Sequence, residues 1–387
     1  MAKLRTYAVL QTLASSLTQP FVNFLAALLG VDGIDLGIIA TANTFFSSIS
    51  QLALSSIKTS PKKLILLADV SVGILWYLMV AIGINYPAAY VGIYIAISCL
   101  SGMSTFGWLI VLERFSIGAR GKRLAEYGFY SSIGGLIATL VTGLLVGSNY
   151  SNFAPVFLAS GSIYLTNGLL TLRWEEVAEA RPSKPSLPKV WKFLGITAAF
   201  NATWAFAWPL FPLAQVYVYH MNALQVGLTS VIAGCSTLIL QRRIGALVDR
   251  YRKFMMFLGR LGLVTFPLAY ALGTSVYDIY GAQIVSGFTG SISSTAYYSY
   301  LFDKVEDKRR GIAFYNAFSG VGALAGGILG GLMATLLAPL GQTFSLRLLL
   351  LSAALGRLAA STLYLFLDDA RSSAPPPSRA EAVARHH

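Results

Sequence analysis

Four ionisable residues stand inside stretches that are otherwise oily: Asp69, Glu126, Arg260 and Arg357. A charge in an apolar run is costly to bury, so it needs a partner, a proton or a passing solute. Asp69 and Glu126 can hold a proton. Arg357 can meet a carboxylate or the anionic group of a solute; Arg260 can do the same, or snorkel, or form a structural pair. Glu126 falls where a helix would begin, and there the helix dipole alone accounts for it. A second concentration of charge is "RRIGALVDRYRK", Arg242 to Lys253, with five basic residues and one acid between apolar flanks. No Ser-His-Asp set, His-Glu-x-x-His run or phosphate loop accompanies these residues, so no enzyme chemistry is expected, and no cofactor or metal. Cys99 and Cys235 both lie in apolar stretches, and His220, His386 and His387 form no cluster.

The elements that must position these residues follow from composition. Of 387 residues, 55% are hydrophobic and 12% charged, with a mean hydropathy of +0.64. Soluble domains carry about 25% charged residues. Half that leaves too little polar surface for a soluble globule, so the chain reads as an integral membrane protein in a lipid bilayer. Spans of about 20 apolar residues fall near 6–29, 35–57, 63–85, 88–113, 123–147, 152–172, 190–219, 223–241, 254–273, 276–302, 310–336 and 343–367. The first reads as a retained helix, because its apolar run is long and no convincing cleavage site follows. Continuous runs such as "LILLADVSVGILWYLMVAIGI" argue against a β-barrel.

The net charge of +13 is a topology signal. All but three Lys and Arg fall in the termini and alternate loops, from Lys3 and Arg5 through Lys62, Arg120 and Lys308 to Arg385. The opposite loops, "VDGID", "NYPAA", "GSNYSN" and "HMNA", are neutral or acidic. By the positive-inside rule both termini are cytoplasmic, in the cell or plasma membrane. Charge spread over so many loops is not a nucleic-acid surface, and no nucleic-acid partner is expected. The Pro- and Ser-containing "RWEEVAEARPSKPSLPK" separates six spans from six. The expected organisation is a bundle over 1–172, a cytoplasmic linker over 173–189, a second bundle over 190–369 and a disordered tail over 370–387.

The two bundles repeat one another. Under a half-chain shift Gly37 aligns with Gly227, Gln51 with Gln241 and Lys63 with Lys253. "YGFYSSIGGLIATLVTG" aligns with "YNAFSGVGALAGGILGG" almost in the same register. The expected fold class is an all-α membrane protein, with twelve transmembrane helices in two pseudo-symmetric six-helix bundles. Such repeats place a site at their interface near the midplane and imply rocking of one half on the other.

At the loop between the second and third helix of the second half, the chain resembles the major facilitator superfamily. That family's loop reads roughly G-x-x-x-D-R-x-G-R-[KR]. Gly245, Asp249, Arg250, Arg252 and Lys253 fit it, with Arg252 standing where the family has its second Gly. The first half has "SSIKTSPKK", which keeps only Lys62 and Lys63 of the pattern. The resemblance extends over nearly the whole chain through span count, repeat, loop charge and the "ERFSIGARGKR" and "FDKVEDKRRG" loops. It implies a secondary transporter that moves a small-molecule substrate by alternating access, as a monomer, coupled or not to H+ or Na+. Facilitative uniport, drug or metabolite export, and a transporter-like receptor without flux are the alternative readings. It also implies that Asp249 latches onto a helix N-terminus of the other half, here near Lys122 to Glu126.

In that family the first and fourth helices of each half line the cavity. Polar and aromatic residues on those helices are Gln19, Asn23, Ser101, Trp108, Asn201, Trp204, Trp208, Gln215, Gln283, Thr289 and Tyr297. Amides, hydroxyls and aromatics suit a neutral or amphipathic organic solute. The fourth-span Arg and fifth-span Gly-Pro pair of the family's drug-proton antiporters are absent, as is the sugar porters' P-E-S-P-R. Pro209 and Pro212 are expected to bend the seventh span.

Overall fold

The computed structural model describes residues 2–55, 59–115, 120–174, 190–305 and 308–368. Fourteen α-helices run through them: α1 (Ala2–Leu28), α2 (Gly33–Ser55), α3 (Pro61–Ala81), α4 (Pro87–Phe115), α5 (Arg120–Val146), α6 (Phe153–Leu170), α7 (Trp191–Phe206), α8 (Leu210–Tyr217), α9 (Ala223–Arg250), α10 (Arg252–Gly262), α11 (Thr265–Leu272), α12 (Val276–Lys304), α13 (Lys308–Leu337) and α14 (Gln342–Thr362). They make twelve crossings, because α7–α8 and α10–α11 are each one crossing broken in the middle. Eight helical segments are long and apolar enough to cross a membrane by length and composition alone. The other crossings, α1, α2, α7–α8 and α12, are broken or more polar.

The breaks have local causes. Proline has no N–H to give the carbonyl four residues earlier, so it frees that oxygen. Pro209 ends the turn that separates α7 from α8, as the sequence suggests, and Trp208 N–H bonds Ala205 O instead of Trp204 O. The break at Leu263 and Val264 is less visible in the sequence. It precedes Pro267, whose missing N–H leaves Leu263 O without its helical donor. In the unbroken α1, Pro20 frees Ser16 O, and the Thr139 hydroxyl of α5 takes it at 3.1 Å.

Packing within the two halves is equivalent. α3 packs on α4 and α6, α2 on α4, and α1 on α5 and α6. In the second half α10–α11 packs on α12 and α14, α9 on α12, and α7 on α13 and α14. Even a close approach recurs: Gly102 lies against Ser47, and Gly287 against Ser236. Between halves, α2 packs on α13 and α5 on α9.

The halves do not meet evenly along their length. One face of the molecule carries the basic loops; on the other, Gly33 abuts Gly331 and Gly37 abuts Gly327, with no room for a Cβ. There too Ala223 N–H bonds Gly147 O at 3.0 Å, and Gly143 sits against Leu224. The buried core follows this pattern. A single apolar cluster runs through both halves on that side, from Phe21 and Trp76 to Leu210 and Leu350. Toward the basic face it divides into clusters confined to one half, one around Phe193, Met256 and Tyr297, and others around Tyr7, Ile65 and Phe106.

Candidate functional site

Below the point of contact, a cleft of about 330 Å3 opens between α1 and α5 of the first half and α9 of the second. Its polar lining is Thr12 and Ser16 of α1, Ser132 and Thr139 of α5, and Ser230, Thr237 and Gln241 of α9. Among the described residues no charged side chain lines it. Residues three and four apart share a helix face, and that spacing joins Thr12 to Ser16, Ser132 to Gly135 and Thr139, and Ser230 to Gly234, Thr237 and Gln241. The hydroxyl pattern was therefore present in the sequence, on the fifth and eighth spans that the family resemblance did not single out.

None of the cavity residues named from the sequence lines this cleft. Gln19 is exposed, and Asn23, Ser101, Trp204, Trp208 and Gln283 are half-buried. The others are engaged within their own half. Asn201 Nδ2 donates to Thr197 O, Gln215 Nε2 to the Tyr270 hydroxyl at 2.9 Å, and the Tyr297 hydroxyl to Met256 O at 2.7 Å. The Thr289 hydroxyl bonds Ser286 O, one turn back. Trp108 packs against Tyr7, with ring centroids 4.9 Å apart.

Asp69 is fully buried, and every donor that reaches it is neutral. The Tyr7 hydroxyl donates to Oδ2 at 2.8 Å, and Ser104 Oγ to Oδ1 at 2.6 Å. Gln11 Nε2 lies 3.4 Å from Oδ1, and its own Oε1 accepts from Asn167 Nδ2 at 2.9 Å. Gln11 is half-buried on α1, one residue from Thr12 in the cleft. α1, α3, α4 and α6 thus hold a lone carboxylate one hydrogen bond away from a partly exposed amide. Such a group can gain and lose a proton without breaking an ion pair.

Arg357 is fully buried in α14 and uses the carbonyls that the two helix breaks release. Nη1 donates to Leu263 O and Nη2 to Trp204 O, both at 2.7 Å. The guanidinium ties α7 to α10 where each loses its own ladder. Arg357→Met should leave both oxygens without a donor and destabilise the fold by about 2 kcal/mol or more. Thermal unfolding in detergent checks this. Unfolding at the wild-type temperature would contradict the tie.

Arg260 lies in α10 among aromatic faces. Its Cζ is 4.2 Å from the Tyr297 ring centroid, 4.6 Å from Phe200 and 5.5 Å from Trp204 and Tyr364. Ion pairing with a carboxylate, one of the expectations for Arg260 and Arg357, is not formed by either among the described residues. Glu126 falls in the second turn of α5, which begins at Arg120, so a first-turn dipole does not account for it. Its side chain, like that of Asp249, lies outside the described residues, as does the packing around Gly245. The loop motif itself is largely helical: α9 continues to Arg250, the backbone turns at Tyr251, and Arg252 and Lys253 open α10.

Two six-helix halves, a seam on one face and a polar cleft between them define a twelve-span helical protein of the alternating-access type. The chain belongs to the Major Facilitator Superfamily, whose model matches residues 193–386. Similar solved structures include the nucleoside transporter NupG, 14% identical with a TM-score of 0.73, covering 94% of this chain and 98% of that one. The D-xylose-proton symporter is 15% identical with a TM-score of 0.71, covering 96% and 99%. A bacterial homologue of the human lysosomal transporter Spinster, in an inward-facing and unoccupied conformation, is 12% identical with a TM-score of 0.70, covering 94% and 95%. No curated protein sequence matches the chain.

Proposed function

We propose that this chain is a secondary transporter that moves a small polar organic solute through the cleft between α1, α5 and α9. The observation that carries the reading is the divided core: continuous across the halves on one face, separate on the other. With the basic loops cytoplasmic, the cleft is open to the cytoplasm and sealed outside. Both termini are then cytoplasmic, and the bundles 1–172 and 190–369 are the rocking bodies. Six hydroxyls and the amide of Gln241 line the cleft, so the solute's body is received by neutral hydrogen bonds. Asp69 is the coupling group, and Gln11 donates to its carboxylate and holds it in place for protonation. The relatives' solutes, a nucleoside and D-xylose, are polar and of a size with the cleft.

Purified protein in proteoliposomes, given a panel of nucleosides, sugars and small organic acids with and without a pH gradient, tests the reading. Saturable uptake of one class is expected. Folded protein that moves none of them in either condition would favour a receptor without flux. The latch adds an expectation of its own: Asp249→Asn should slow exchange about tenfold, the effect of about 1.4 kcal/mol on a barrier. Unchanged exchange and unchanged cytoplasmic accessibility would remove Asp249 from the mechanism.

A further inference from the structure

Arg260 and Asp69 occupy nearly the same place in the two halves. Under the half-chain shift Asp69 aligns with Gly259, one residue from Arg260. Their surroundings correspond as well. Tyr7 and Gln11 of α1 align with Thr197 and Asn201 of α7. The Tyr7 ring meets Trp174 edge-on in the first half, and Thr197 lies against the Tyr364 hydroxyl in the second. The two boxes differ in how far each is completed. Both oxygens of Asp69 accept hydrogen bonds from neutral donors. Arg260 is 2% exposed, and its Nε has no partner.

A second guanidinium reaches the backbone of Trp204. Arg260 stands over the ring of Trp204, and Arg357 binds the carbonyl of Trp204; the Nε of Arg357 is also without a partner. Two buried cations therefore flank one residue, and no acid pairs with either among the described residues. Aromatic faces stabilise a cation but do not neutralise it. A buried guanidinium whose Nε is without a partner, and with no acid paired to it among the described residues, is the arrangement that an incoming anion completes. The approach lies along Trp204 and Trp208. Their rings are half-buried and T-shaped at 5.1 Å, and Trp204 is carried on the last turn of α7, which stops at Phe206.

We propose that the second half holds a binding site for a flat organic oxyanion, a carboxylate or a phosphate ester, whose acidic group pairs with Arg260 and whose ring lies on Trp204 and Trp208. Guanidinium groups bind both oxyanions through paired N–H donors, and indole faces receive a planar body. The site is separate from the neutral cleft, whose lining includes neither tryptophan, and it does not rest on the transport reading.

Binding of benzoate, phenyl phosphate and benzamide to the purified full chain in detergent, followed by thermal shift and calorimetry, tests the proposal without requiring flux. Benzoate or phenyl phosphate should bind saturably, and the pair separates a carboxylate site from a phosphate site. Benzamide, with the same shape and no charge, should bind at least about tenfold more weakly. Arg260→Gln should abolish the preference of the anion over the amide, which loss of a purely structural aromatic box would not do. Should that variant fail to fold, Trp204→Phe keeps Arg260 and should weaken benzoate severalfold. Equal binding of benzoate and benzamide, no binding of either anion, or an unchanged preference in Arg260→Gln would overturn the site. Anion binding by a chain that moves no solute would overturn the transport reading and leave the site standing.

Discussion

Gly331→Leu should stop transport and lower the unfolding temperature. Gly331 packs backbone to backbone on Gly33, where even a Cβ would strike the carbonyl of the other helix. Overpacking a tight contact costs about 1–3 kcal/mol when side chains can shift, and here the obstacle is main chain. Thr335 and Gly37 to Gly327 continue the same seam, so separation of α2 from α13 by a leucine's width would propagate along it. The consequence is functional as well as structural, because this is the seam that closes the cleft on the face away from the basic loops. Gly281→Ala on α12 is the control, since no atom lies within reach of an added Cβ there. It should fold and transport as the wild type does, while Gly331→Leu should leave little uptake. Wild-type uptake by Gly331→Leu would mean that the close seam is not needed for the cycle.

Asp69→Asn carries the second large effect. Asparagine keeps the size of the side chain and one acceptor oxygen, so the Ser104 bond survives and the fold should persist. It cannot ionise. If Asp69 carries the proton, accumulation against a gradient should fall about tenfold or more, whereas solute exchange at equal concentrations should change by less than about threefold. Uptake and counterflow in the same proteoliposomes separate the two. Gln11→Leu, which removes the bridge from Asp69 to Asn167, should weaken coupling in the same direction. Gradient-driven accumulation by Asp69→Asn at the wild-type level would take Asp69 out of coupling.

The sequence showed some of this directly, and the reasons differ by feature. Twelve crossings were readable because a bilayer demands long apolar runs, and the repeat because glycines and basic ends recur in register. The lone charges were conspicuous, since an acid or guanidinium in an oily run has few reasons to be there. Their partners were not readable. Arg357 invited a search for a carboxylate, yet its acceptors are backbone oxygens. Only Pro267, four residues past Leu263, hinted that a carbonyl would be free there. Tyr7, Ser104 and Gln11 come from helices far apart in sequence, so nothing local joins them to Asp69. The cleft escaped because small hydroxyls on α5 and α9 look like ordinary helix contacts, whereas the tryptophans and amides of the seventh span drew attention, and none of them lines that cleft.

Side-specific labelling tests most directly the claim that the cleft is exposed to one side at a time. In a Cys99→Ser, Cys235→Ser background, Thr237→Cys places a thiol in the cleft, and Gly143→Cys with Leu224→Cys places a pair across the seam. A Cβ on Gly143 would stand 3.1 Å from the Leu224 Cα, within reach of a disulfide. A membrane-impermeant thiol reagent should label Thr237→Cys from the cytoplasmic side with the seam pair reduced or oxidised. From the outside it should label only when the pair is reduced and the seam can part. Labelling from the outside that is undiminished by the seam disulfide would contradict alternating access through this cleft.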